Sequence, residues 1–281
     1  MATSAEPAGP WEERVVYSVE ELVALLSGDR LMPVQDSAGG HRRSGHVFRG
    51  MSVASWSLQT SLERLGSEPD QVEGPLLRNF RKSAPMGMFS GASEWEVLAV
   101  AQHNGLPTRC LDWTASPMVA AHFATCERPY LEEDGVIWCL DVGRWRSQLL
   151  PKALLKVLRK DIAWVFHTGT LAGEFPGLLA LDDYLDDRDD LLLVFEPPSI
   201  DERIRNQYGL LTMLDGATKS HQMVLAAAER AVPGLVLRIV IPGALKPLLR
   251  DFLDQNNITE RMLFPGLPGT ADWLRRHYGP A

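Results

Sequence analysis

The short stretch from Gln102 to Thr114, Gln-His-Asn-Gly-Leu-Pro-Thr-Arg-Cys-Leu-Asp-Trp-Thr, constrains this chain more than any other. It packs two amides, an imidazole, a guanidinium, a carboxylate, an indole and two hydroxyls into one turn-rich segment. Polar groups at that density can be buried only if each finds a partner. A helix is predicted before it, Glu94 to Gln102, burying Val97, Leu98 and Ala101. After it, Ser116-Pro117 is a strong helix start, predicted to run through Ala124. A loop held between two rigid elements is where binding and catalytic groups usually sit. Upstream, Val47-Phe48-Arg49-Gly50 puts an arginine at the end of a short apolar run.

Local signals supply the remaining elements. Ser18-Val19-Glu20-Glu21 is a capping box that opens a helix through Leu26, closed by Gly28. Residues 36–46 read as a polar loop, His46 to Arg49 as a strand stopped by Gly50, and Ser83 to Gly91 as a loop. Helical spacing of Val72, Leu76, Leu77 and Phe80 predicts a helix over Gln71 to Lys82. Apolar runs predict strands at Gly135–Val142, Asp190–Glu196, Gly209–Leu214 and Leu235–Ile241. A helix follows over Ala244 to Leu253, then a strand over Ile258 to Phe264 and a terminal helix from Ala271. Short strands mixed with helices give an α+β fold, a single domain with a mixed β-sheet flanked by helices. The expected division is a disordered lead over 1–11 and one domain over 12–281. Its motif core covers about 45–215 and a C-terminal strand and helix part 216–281.

Composition narrows the function classes. Forty-five per cent hydrophobic and 23% charged residues are ordinary for a globular protein, and 281 residues suffice for a substantial core. A net charge of −8 argues against a broad nucleic-acid surface, since phosphate neutralisation dominates such binding. Cys110, Cys126 and Cys139 have no metal-ligand spacing and read as reduced thiols in a cytoplasmic protein. No run of apolar residues is long enough to cross a membrane, and the N-terminus lacks the features of a signal peptide. The acidic run Asp182, Asp183, Asp186, Asp187, Asp189 and Asp190 lacks the glycine turn and final glutamate of a calcium loop, and reads as solvated. His167 and His221 are isolated, so no metal site is expected. There is no phosphate-cradling loop, dinucleotide fingerprint or nucleophile elbow.

What remains is the chemistry of the two marked segments. Arg49 either holds a phosphate or ribose through bidentate bonds or pairs with Asp112 as a buried bridge. The following Gly50 lets a ligand approach the backbone. His103 either caps the helix carbonyls or contacts a nucleotide as an acid/base imidazole. Arg109 and Asp112, three residues apart, read as an ion pair that organises the loop. Trp113 is either core or a stacking platform. The backbone amides of the Ser116 helix start could take a pyrophosphate. Gln207 either bonds a ribose hydroxyl or pairs with loop backbone.

Several of these residues also carry a family resemblance. Phe48-Arg49-Gly50, Gln102-His103, Gly105-Leu106-Pro107-Thr108-Arg109, Leu111-Asp112-Trp113-Thr114 and Phe123-Ala124 resemble the FRG domain, named for its Phe/Tyr-Arg-Gly motif. Trp56-Ser57-Leu58 with Ser61 and Arg64, Arg203 with Gln207 and Gly209-Leu210, and Leu263-Phe264-Pro265 with Leu267 and Gly269 are further marks. They span roughly residues 45 to 278. Cys110 stands where the family usually has leucine.

The order of strand, Arg-Gly and hydroxyl segment is also similar to arginine-type ADP-ribosyltransferases. That similarity implies an ADP-ribosyltransferase-like fold and an NAD-consuming transferase or glycohydrolase, with NAD as substrate and a toxin or phage-defence role. Arg49, His103, Asp112 and Gln207 would be catalytic. Arg49, Gly50, Gln102, His103, Arg109, Trp113, Thr114 and Ser116 would hold the dinucleotide. The transferase glutamate has no match in register, because Glu260 is offset by one residue and would face the other side of a strand. The alternative is a non-catalytic nucleotide-sensing or protein-interaction module. The sequence does not specify the acceptor macromolecule, the oligomeric state or the trigger.

Overall fold

The computed structural model describes residues 9–32, 34, 35, 42–184 and 190–279. One mixed sheet runs through it, built from β1 (Glu12–Val15), β2 (His46–Met51), β3 (Leu111–Thr114), β4 (Gly135–Asp141), β5 (Phe166–His167), β6 (Leu192–Glu196), β7 (Gly209–Leu214) and β8 (Val236–Ile241). The strand order is β1-β8-β4-β2-β3-β7-β6-β5. The two outermost pairs are parallel and the inner ones antiparallel. A separate two-stranded ladder joins Val34–Gln35 to Arg42–Arg43. The fold is α+β, as the mixture of signals predicts.

Strand alternation sorts the core between the two faces. Val47, Met51, Trp113, Trp138 and Leu210 point to one face. There they pack under α5 (Val142–Gln148) and α10 (His221–Ala231). The other face carries two clusters. Phe48, Ile137 and Ile239 pack on α1 (Val19–Ser27), α4 (Pro117–Thr125) and α11 (Lys246–Gln255). Leu193, Phe195 and Met213 pack on α2 (Pro69–Ser83), α3 (Glu94–His103), α6 (Lys152–Lys160), α7 (Thr168–Glu174) and α8 (Leu178–Asp182). Three further helices, α9 (Glu202–Gln207), α12 (Glu260–Leu263) and α13 (Leu267–Tyr278), pack in series beside the sheet.

The middle of the sheet is its weakest join. Between β2 and β3 the ladder is a single residue pair, Phe48 with Thr114. On either side of that seam, β2 pairs with β4 over six residues and β3 with β7 over four. Helices α3 and α4, which flank the 102–114 segment in sequence, stand on opposite sides of the seam on the same face. A cleft opens between them.

Several expectations need correction. Gly50 does not stop its strand, which continues to Met51. Nor does it clear space for a ligand. A Cβ there would lie 1.9 Å from the Ala120 carbonyl oxygen of α4. Ile258 to Phe264 is not a strand but a turn leading into α12, with Phe264 following the helix. Trp11, placed by sequence in the lead, is buried and meets Trp138 edge-on at 4.7 Å. Residues 1–8 of that lead and most of the 36–46 loop lie outside the described residues. Asp182 is not a free solvated carboxylate, because it pairs with Arg109; Asp186, Asp187 and Asp189 lie outside the described residues. Among the described residues no helix is long and apolar enough to cross a membrane.

Candidate functional site

The cleft has a volume of about 290 Å³ and opens over the seam. Its lining includes Arg49 and Gly50 from β2, Gln102 and His103 from the end of α3, Asp112, Trp113 and Thr114 from β3, and Gln207 from α9. Residues scattered over about 160 positions of the chain are thus brought to one surface. The structure also places Arg203 and Glu127 there, which the sequence reading did not assign to the site.

Arg49 sits in the seam itself. Its Nη1 donates to the backbone carbonyl of Asp112 at 2.6 Å, and its buried Nε has no partner. The expected Arg49–Asp112 carboxylate bridge does not form. Burial lowers the Arg49 pKa, and the Asp112 carboxylate opposes that shift. Beneath the seam lies His221, fully buried with both ring nitrogens unpartnered. Its own burial, with the Arg49 charge second, pushes it down to about 3, so it is neutral at physiological pH.

The Asp112 carboxylate instead accepts from Gln102 Nε2 at 2.8 Å. Thr108 Oγ1 donates to Gln102 Oε1 at 2.5 Å and accepts from the Cys110 N–H. This relay fixes which end of the Gln102 amide faces the cleft, and so orients a carboxylate that remains exposed. His103 does not cap its helix; Asn104 does that, through Val100 O. The His103 Nε2 lies 2.5 Å from Asp201 Oδ2. Burial raises the Asp201 pKa, but the Ile204 N–H on its other oxygen and the His103 ring outweigh this and hold it below its usual range. An ionised Asp201 accepts a hydrogen bond from the Nε2–H of His103, so Nδ1 is the ring nitrogen left over for another partner.

Other residues of the predicted set have structural duties. Trp113 is core, donating to Thr212 Oγ1 at 2.9 Å, with part of its surface on the cleft. Thr114 Oγ1 donates to the Gln207 carbonyl at 2.6 Å and accepts from the Ser116 N–H. Gln207 ends α9, two residues before β7, and its Nε2 donates to the backbone carbonyl of Leu263 at 2.9 Å.

Two predicted site residues lie elsewhere. Arg109 is buried, donating to Glu73 at 2.9 Å through Nε and also bonding Asp182. It therefore pairs neither with Asp112 nor with a ligand. Ser116 lines a different groove, and its hydroxyl accepts from the Val119 N–H of its own helix.

Glu260 is also committed. Arg250 reaches it at 3.0 Å and Arg276 at 2.7 Å, outside the cleft. Burial raises its pKa, but these two guanidiniums win and take it down to about 2, from an ordinary 4.5. A depressed carboxylate pKa stabilises the fold above its unfolded value and loses that contribution as pH falls towards the folded one. Between pH 4.5 and 2 this cluster should lose on the order of 2 kcal/mol, after allowance for partial solvation. Urea unfolding at pH 6 and pH 3 checks it: Glu260→Gln should start less stable and lose less on acidification. An equal acid loss in both proteins would assign the effect to other carboxylates.

The fold and cleft define an α+β domain with an arginine in a split sheet and a polar loop across it. The FRG domain family matches residues 44–132, which hold β2, the polar loop and α4, and the chain carries an FRG domain. No curated protein and no solved structure gives a match to the chain.

Proposed function

We propose that the cleft binds NAD and that the protein cleaves it, transferring ADP-ribose to an acceptor or to water, as an effector of toxin or phage-defence type. The observation that carries this reading is the convergence of Arg49, His103, Asp112 and Gln207 on one open cleft. An arginine with a buried, unpartnered Nε suits a phosphate oxygen. With Glu260 locked into ion pairs elsewhere, Asp112 takes the carboxylate role. As the C1′–N bond breaks, nicotinamide leaves with the bonding electron pair, and the Asp112 carboxylate stabilises the oxocarbenium-like sugar. The acceptor's nucleophile then adds at C1′ and gives its proton to His103 Nδ1.

A second reading, nucleotide sensing without turnover, is favoured by one observation: the Gln207 amide and the Glu260 carboxylate are both used structurally. Incubation of the protein with NAD and cell extract separates the two, with nicotinamide and ADP-ribosyl adducts read by mass spectrometry. Arg49→Ala and His103→Ala should each lower nicotinamide release about 10²-fold or more. NAD binding by calorimetry without release would leave the sensing reading. Neither binding nor release would end both.

A further inference from the structure

A second cleft of about 530 Å³ adjoins the first and shares Arg49, Gln102, His103, Asp112 and Arg203 with it. The two differ in charge. In the first, Arg49 and Arg203 stand against Asp112 and Glu127, and Phe48, Phe123 and Leu210 add apolar wall. The second is lined by three guanidiniums, Arg49, Arg64 and Arg203, against the single carboxylate of Asp112. A cationic cleft on a chain of net charge −8 is a local feature, set against the overall balance.

Arg203 stands on the wall between the clefts. Its guanidinium lies over the Phe264 ring at 4.9 Å, and among the described residues it makes no ion pair and no side-chain hydrogen bond. Its Nε is buried and unsatisfied. Buried guanidinium donors are ordinarily satisfied, and Arg203 lines both clefts with none of its donors claimed by a partner among the described residues. The aromatic face holds the fork in plane while leaving its donors free. Arg64 is exposed, anchored at one end by Nη1 donating to Gln59 O at 2.5 Å.

We infer that Arg203 and Arg64 bind the diphosphate of a dinucleotide in the second cleft, with Arg203 as the main anchor, and that the nicotinamide riboside half lies in the first cleft. This rests on the NAD reading above and fixes the direction in which the ligand lies. An aromatic ring with one ribose suits the charge-balanced, phenylalanine-walled space. Two phosphates suit the three-arginine space. Asp112, the carboxylate common to both, then stands at the junction, beside the ribose carbon to be attacked.

The test is calorimetric binding of ADP-ribose, inorganic pyrophosphate and nicotinamide riboside to the full chain, wild type beside Arg203→Gln and Arg64→Gln. Glutamine keeps a planar polar end without the charge, and thermal unfolding confirms that each variant is folded. A charge-assisted hydrogen bond is worth about 1.5–3 kcal/mol, so Arg203→Gln should weaken ADP-ribose at least about tenfold. Arg64→Gln, at an exposed site, should weaken it about threefold. Pyrophosphate should compete with ADP-ribose, and nicotinamide riboside should lose far less affinity than ADP-ribose in either variant.

Equal losses for ADP-ribose and nicotinamide riboside, or no loss for either, would overturn the assignment. The two proposals fail separately. ADP-ribose binding that depends on Arg203, with no nicotinamide release from NAD, keeps the anchor and removes the transferase. Release with an unchanged KM in both variants keeps the transferase and removes the anchor.

Discussion

Arg109→Ala is expected to cost about 3–5 kcal/mol of unfolding free energy, a large fraction of a domain's net stability. All three guanidinium nitrogens are engaged. Nε donates to both Glu73 oxygens, Nη2 to Glu73 and Asp182, and Nη1 to Asp182 and to the Leu214 carbonyl. Arg109 and Glu73 are both nearly inaccessible, while the Asp182 side chain keeps 28% of its exposure. Removing the arginine therefore strands one fully buried carboxylate, and the second can turn to water. Removing both buried charges should be much milder: Arg109→Met with Glu73→Leu should recover most of the loss, because no charge is then left unpaired. Urea unfolding of wild type, the single variant and the double variant decides it. A single-variant loss below about 1 kcal/mol would mean that the cluster is solvated and contributes as surface pairs do. The same folded double variant should bind ADP-ribose normally, which separates this role from the dinucleotide contact that the sequence suggests.

Gly50→Ala should be among the most damaging single methyl additions at the described residues. The added Cβ would meet the Ala120 carbonyl oxygen at 1.9 Å and the Ala124 amide nitrogen at 2.7 Å. Both are helix backbone, so no side chain can turn away, and α4 itself must move. Overpacking of this kind costs about 1–3 kcal/mol, and the upper end or beyond is expected here. The site should suffer as well, because α4 carries Phe123, a wall of the cleft. Gly173→Ala is the control. That glycine lies in α7 with nothing within 4 Å of its added methyl, so a gain of up to about 1 kcal/mol is expected from helix propensity. Comparable losses in the two variants would refute the steric account of Gly50.

These two residues show what was legible in the sequence. The motif around Gly50 and Arg109 was visible, but the reasons for it were not. The partners of Arg109 lie 36 and 73 positions away, and local spacing offered Asp112 instead. Three helix starts are legible because caps are local: Ser18, Ser93 and Ser116 each accept from the backbone three residues on, whereas the short helices between β4 and β7, and α10, are absent from the expected elements. Apolar runs gave β4, β6, β7 and β8 to within two residues. The strand β3 was hidden because Asp112 and Thr114 alternate polar with Leu111 and Trp113 over only four residues, within a segment rich in turn formers. Ile258 to Phe264 failed for the opposite reason. Its apolar residues suit a strand, but Arg250 and Arg276 draw Glu260 into a short helical turn. Arg203 and Arg64 are legible as motif members, but which of their donors find a partner depends on the assembled fold.

The single-pair join between β2 and β3 has a mechanical consequence. The eight strands behave as two four-stranded plates, β1-β8-β4-β2 and β3-β7-β6-β5, stapled at Phe48–Thr114 and by the bond from Arg49 to the Asp112 carbonyl. On the α4 side each plate has its own helices and its own core, while on the α10 side a single core spans the seam and joins the two plates. An anion that draws Arg49 away from Asp112 removes one of the two staples. In the proposed complex, the arginine that would grip the ligand is also a latch across the seam, so binding there would be coupled to how firmly β2 is held to β3.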